Sequence, residues 1–194
     1  MTALSLSTKQ KYGSLLAGNP AGADSSYWLI SRTTVGSAGA STIEFTSIPS
    51  TYKHLQIRAF MRGTYAGTLV SFFCQINGET GSFYSSHHVG GTGSTTYSYA
   101  GSTQTYIELN DIAADTNTAS TYSNMIMDIF DYADTNKYKT TRGFLGRDFN
   151  GSGQLELNSG LYQKTTAVTS IKFYLGANAF KEYSSFALYG IKGA

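Results

Sequence analysis

Charge is what this chain most conspicuously lacks. Asp, Glu, Lys and Arg make up 13% of its 194 residues, about half the share of an ordinary globular domain. Glu, Lys and Arg are the usual fillers of exposed helix faces, so their scarcity excludes a helical bundle, a coiled coil and a charged disordered tail. The net charge is +2, and no dense basic face can be built from it. Nucleic-acid binding by bulk electrostatics is therefore excluded. A single cysteine, Cys74, rules out an internal disulfide and a Cys-based metal site. No apolar run approaches the roughly 20 residues a membrane helix needs. The opening MTALSLSTKQKYGSLLAG has no charged start followed by an apolar stretch, so no signal peptide is expected and synthesis in a cytoplasm is. Proline, at two residues, is nearly absent.

In place of charge stand small polar and aromatic residues. Ser and Thr total 48 and Gly 21, together a little over a third of the chain, with 15 Tyr and 11 Phe. Thr and the aromatics favour strands. From Tyr27 onward, apolar and polar residues alternate in one short segment after another. In KHLQIRAFMRG (53–63), Leu55, Ile57, Ala59 and Met61 oppose His54, Gln56, Arg58 and Arg62, with Phe60 out of phase. LVSFFCQING (69–78) is apolar on both faces and ends in Asn-Gly, so it reads as a central covered strand followed by a tight turn. TYSNMIMDIFDY (121–132) sets Met125, Met127 and Ile129 against Asn124, Ile126 and Asp128. Further strands are read at 27–35, 41–48, 104–112, 137–149, 154–163, 170–180 and 184–193, about ten in all. Residues 79–103, rich in Gly, Ser, Thr and Tyr, read as weakly structured. Strands spaced this closely, without a long amphipathic helix among them, predict an all-β, antiparallel β-sandwich over 27–194. Residues 1–26 alternate little and read as an N-terminal arm, with Leu15 and Leu16 on one short helical turn as its candidate anchor.

Catalytic chemistry finds little purchase. His87 and His88 are adjacent, so in an extended segment they point to opposite faces and do not share a metal. Cys74 lies in an apolar run and is expected to be buried and inert. No G-x-S-x-G elbow occurs. Acidic pairs such as Glu44 with Asp111, or Asp128 with Asp131, would need a separation of about 5–10 Å across a cleft to act as glycosidase carboxylates. Most of the acids fall at turns, where Asp bonds its own backbone. The glycine clusters at 90–93 and 151–153 do not stand between a strand and a helix, the context a phosphate cradle requires. No catalytic residue, metal ligand or cofactor is expected. The stretch 82–106 is the chemical candidate that remains. Tyr84, Tyr97, Tyr99 and Tyr106 are its candidate contacts, because Tyr offers broad area with few rotors among adaptable Ser and Gly.

Three segments carry a resemblance: FTSIPSTYKHLQIRAFMRG (45–63), FDYADTNKYKTTRGFLG (130–146) and KFYLGANAFKEYSSFALYGIKG (172–193). With the opening TKQKYGSLLAGNPA, they resemble small β-rich virion proteins of tailed bacteriophages. The resemblance covers most of the chain, least of all 79–103. It rests on strand and turn signatures, so it implies a fold and a setting and transfers no functional residue. It implies a jelly-roll-like sandwich and a non-enzymatic structural role in the virion, most simply a capsid decoration (cement) protein. The expected partners are further copies of the chain, as a homotrimer, and the major capsid protein. The alternative is a fibre module that binds a host-surface glycan through the 82–106 tyrosines.

Overall fold

The computed structural model describes residues 26–193. The expected arm, with Leu15 and Leu16, lies outside the described residues except for Ser26. The described chain is all strand and turn. Twelve strands run in order: β1 (Tyr27–Thr34), β2 (Thr42–Phe45), β3 (His54–Met61), β4 (Leu69–Ile76), β5 (Tyr84–Gly91), β6 (Thr96–Gln104), β7 (Ile107–Ala113), β8 (Ser123–Ile129), β9 (Lys139–Asp148), β10 (Gly153–Tyr162), β11 (Ile171–Leu175) and β12 (Ser185–Ile191). All pairings are antiparallel.

Eight strands form one sheet in the order β1-β12-β3-β8-β9-β10-β5-β6, and four form the other, β2-β11-β4-β7. Set aside the hairpins β5–β6 and β9–β10, and two four-stranded sheets remain: β1-β12-β3-β8 and β2-β11-β4-β7. That interleaving of first and last strands is the double Greek key of a jelly roll. The two hairpins are insertions that lengthen one sheet. Strands β9 and β10 fall where strands were expected, at 137–149 and 154–163, whereas β5–β6 forms in the region read as weakly structured, where Tyr84–Gly91 and Thr96–Gln104 pair across a Thr92–Thr95 turn. Periodicity missed β5 and β6 because their inner face is held by Tyr84, Ser86, His88, Tyr97 and Tyr99 and carries no aliphatic side chain.

Elsewhere the alternation maps directly onto burial. Leu55, Ile57, Ala59 and Met61 face the core, as do Met125, Met127 and Ile129. Strand β4 lies between β11 and β7 as expected. The core between the sheets is aromatic at its centre, where Phe72 stacks on Phe173 at 5.6 Å and Phe180 meets Phe186 edge-on at 5.1 Å. Such pairs add about 0.5–1.5 kcal/mol beyond their burial. The Asn77-Gly78 turn forms with both residues left-handed, at φ 54° and 66°. It does not close a hairpin. It carries the chain from the small sheet to the large one, and the Asn77 side chain caps the strand opposite by accepting from Thr169 N and Ser170 N at 2.8 and 3.2 Å.

Candidate functional site

The inserted hairpins create the two features that distinguish this molecule from a plain sandwich. Their inner face meets β7 across a polar interior, and their outer face carries an exposed apolar row.

The polar interior begins with Glu156 on β10, whose side chain is wholly buried. Its neighbours come from three other strands. Tyr97 on β6 donates its hydroxyl hydrogen to Glu156 Oε2, and Asn110 on β7 donates through Nδ2 to the same oxygen. Gln154 Nε2 adds a longer bond at 3.4 Å. On the other side, His88 Nδ1 of β5 stands 3.4 Å from Glu156 Oε1. The second ring nitrogen of His88 lies 2.9 Å from the Glu108 carbonyl of β7. Arg147 of β9 is buried too, bonding the Asp111 carbonyl and the Gln154 side-chain oxygen. Burial first, and then the bond to Glu156, push the Tyr97 phenol well above its ordinary value. Burial pulls the Arg147 guanidinium down. A buried carboxylate is tolerated only when such donors surround it. These bonds therefore fasten β5 and β6 to β7, where apolar side chains would fasten them in an ordinary core.

This geometry redistributes the four tyrosines expected to act together. Tyr84 is fully buried, stacked on Tyr162 at 5.2 Å, and its hydroxyl bonds Ile76 and Glu79 backbone groups. It lies in the core and offers no exposed surface in this chain. Tyr97 turns inward to Glu156. Tyr106 packs on Phe73 of β4 at 4.2 Å. Tyr99 is exposed, yet its ring leans on buried His88 at 5.3 Å. The register explains this: Tyr97 and Tyr99 lie opposite Gly90 and His88, on the inner side of the sheet. They do not form one exposed aromatic surface.

His87 is exposed and His88 buried, on opposite faces as their adjacency requires. Cys74 is buried and its thiol is pushed far up by desolvation. Asp128 is engaged by Arg142 at 3.1 Å and Gln56 at 2.9 Å. Asp131 is held by Lys137 and Lys53, which draw its carboxyl down to about 2. Both carboxylates thus serve local ion pairs. Among the described residues no group of three or more His, Cys, Asp and Glu side chains could hold a metal.

The outer face of the large sheet is the feature sequence reading passed over. Ile126 lies opposite Phe144, Phe144 opposite Leu157, and Leu157 opposite Val89. These four side chains line up across β8, β9, β10 and β5, and Leu155 extends the row. All five are 41–55% exposed. A shallow depression of about 530 Å³ opens beside them, lined among others by Gly91, Asn124, Gly146, Asp148 and Leu155. The signal was present in the sequence. The Phe144 and Ile126 positions put apolar residues in both phases of their strands, which a strand with one wet face does not need. In QLELN the leucines alternate strictly with Gln154, Glu156 and Asn158, and only the structure shows that it is the leucines that face out.

No family model, curated protein or solved structure matches the chain.

Proposed function

We propose that this protein is a non-enzymatic structural component of a tailed-bacteriophage virion, most simply a capsid decoration protein present in many copies. The observation that carries the reading is the outward row Ile126–Phe144–Leu157–Val89 on a charge-poor sandwich. Exposed contiguous apolar rows mark surfaces that are covered in use. A row without charge can be buried without desolvating ions. The sequence resemblance supplies the setting, and the row supplies the contact, made on the outer surface of the shell formed by the major capsid protein. Mechanistically, each docked copy binds the assembled shell and not its dissociated subunits. Its binding free energy is then added to the stability of the shell by mass action. The glycan-binding alternative has less support, since three of its four tyrosines are engaged inside the molecule.

The test is quantitative mass spectrometry and immunogold labelling of purified particles from the genome that carries the gene. Hundreds of copies over the head are expected. Absence from particles, or a handful of copies at the tail, overturns the decoration reading. Phe144→Glu with Leu157→Glu should abolish shell binding in a protein that keeps its far-ultraviolet spectrum.

A further inference from the structure

The two sheets have four edges, and three of them are protected. Strand β1 carries Arg32 and an irregularity between Leu29 and Ser31. Strand β2 is four residues long and includes Glu44. Strand β7 carries Glu108 and Asp111, has a register shift of its own, and packs against β5, β9 and β10. Charge, brevity and bulges are the devices by which natural sheets prevent edge-to-edge pairing. Strand β6 has one irregularity, between Gly101 and Gln104, and none of these devices along Thr96–Gly101. It holds no charged residue and no proline, and it pairs with β5 in regular register from Gly91↔Thr96 to Ser86↔Gly101. The whole stretch between Glu79 and Glu108 is free of Asp, Glu, Lys and Arg. Among the described residues no hydrogen bond reaches the outer edge of β6, where alternate residues present N–H and C=O groups to solvent.

We propose that β6 is a pairing edge and that its partner is β6 of a second copy of this chain. Antiparallel self-pairing about a two-fold axis sets residue i opposite residue j and j opposite i. Only the residue at the axis, here Ser98 at the middle of the regular stretch, faces its own copy, so a charge at or beside the axis would meet the same charge at close range. An uncharged strand meets no such penalty at any register, and β6 alone among the four edges is uncharged. The side chains on the outer face of the sheet, Thr96, Ser98 and Ala100, are small and offer no steric bar. The hairpin is held in place for such use by the Tyr97–Glu156 bond, which fixes β6 from its inner side and leaves its edge free. The contact is isologous and joins two copies through one continuous sheet, where the sequence reading expected three. It stands on the edge alone and holds whether or not the protein belongs to a virion.

The experiment uses the full chain at tens of micromolar in light scattering coupled to size exclusion, with amide hydrogen exchange across dilution. A dimer is expected, with the amides of 96–101 protected at high concentration and at least tenfold less so on dilution. Ser98→Lys should give a monomer whose melting temperature matches that of the wild-type chain diluted until it dissociates. Ser98→Glu should do the same, and mixing the two variants should restore a dimer, which a misfolded chain does not do. Ser98→Thr should remain dimeric. A monomer at these concentrations, a trimer, or a dimer indifferent to Ser98→Lys would overturn the proposal.

Discussion

Arg62 shows how a single residue organises a loop in this protein. Its position next to the apolar Met61 and its alternation with the core face of β3 make it look like an ordinary solvent-facing cation. It is instead 3% exposed. Its two terminal nitrogens donate to four backbone carbonyls: Thr118 at 2.7 Å, Thr121 at 2.8 Å, Asn117 at 2.8 Å and Asp115 at 3.2 Å. The loop from β7 to β8 has too few apolar residues to fold by burial, so the guanidinium fork gathers its carbonyls. Each buried carbonyl left without a donor costs about 1–3 kcal/mol unless water reaches it. Arg62→Ala is therefore expected to destabilise the protein by about 3 kcal/mol in denaturant titration. Arg62→Lys should recover only part of the loss, since a single ammonium cannot span four acceptors. Lys139, fully buried, repeats the device by donating to the carbonyls of Asp134, Lys137 and Thr165. No side-chain motif reveals either role, because the acceptors are backbone carbonyls, which any residue type supplies, and those of Arg62 lie 53–59 residues away.

At the scale of elements, the inserted hairpins depart most from a plain jelly roll, and their fastening is polar. The alternating strands β3, β8 and β12 were legible because their inner residues are Leu, Ile, Met and Phe. The inner residues of β5 and β6 are Tyr84, Ser86, His88, Tyr97 and Tyr99, a set that reads equally well as a recognition loop. What decides between the two readings is Glu156, which sits on β10 and gives Tyr97 a buried acceptor. Tyr97→Phe removes that bond and keeps the ring. It should weaken the attachment of β6 by about 1.4 kcal/mol, a tenfold change in equilibrium. Amide exchange along 96–101 in the monomeric Ser98→Lys background should quicken by that factor, with exchange in β3 and β8 unchanged. Acceleration spread evenly over the sheet would mean that the bond supports global stability and not the hairpin.

For the molecule as a whole, the scarcity of charge matters through where it falls. On the outer face of the large sheet the apolar row is flanked along β9 by Arg142, which pairs with Asp128, on one side and by Asp148 on the other. The row itself has nothing to repel a partner. Replacing Ile126, Phe144 and Leu157 together by Thr keeps strand preference and removes the apolar surface. Binding of a hydrophobic fluorescent dye should then fall severalfold, and the thermal midpoint should move by only a few degrees, because half-exposed side chains contribute little burial. A large loss of stability would show that the row packs within the chain.

The sequence by itself determined the class of fold. A two-residue period and an excess of Thr and aromatics can be satisfied only by half-buried strands, and the low charge excludes the helical alternatives. It also determined that His87 and His88 point apart and that Cys74 is buried, because those follow from local geometry and local apolarity. The tertiary structure decided the rest. It split four tyrosines of one segment among the core, a buried carboxylate and a neighbouring strand. It brought Ile126, Phe144, Leu157 and Val89 into one row, although β5 is far from β8 in the chain, and it left β6 at an open edge. The physical reason is that strand order and register are set by pairings between distant segments. Local alternation fixes which face a residue takes on its own strand, and only the assembled sheet fixes what stands beside it.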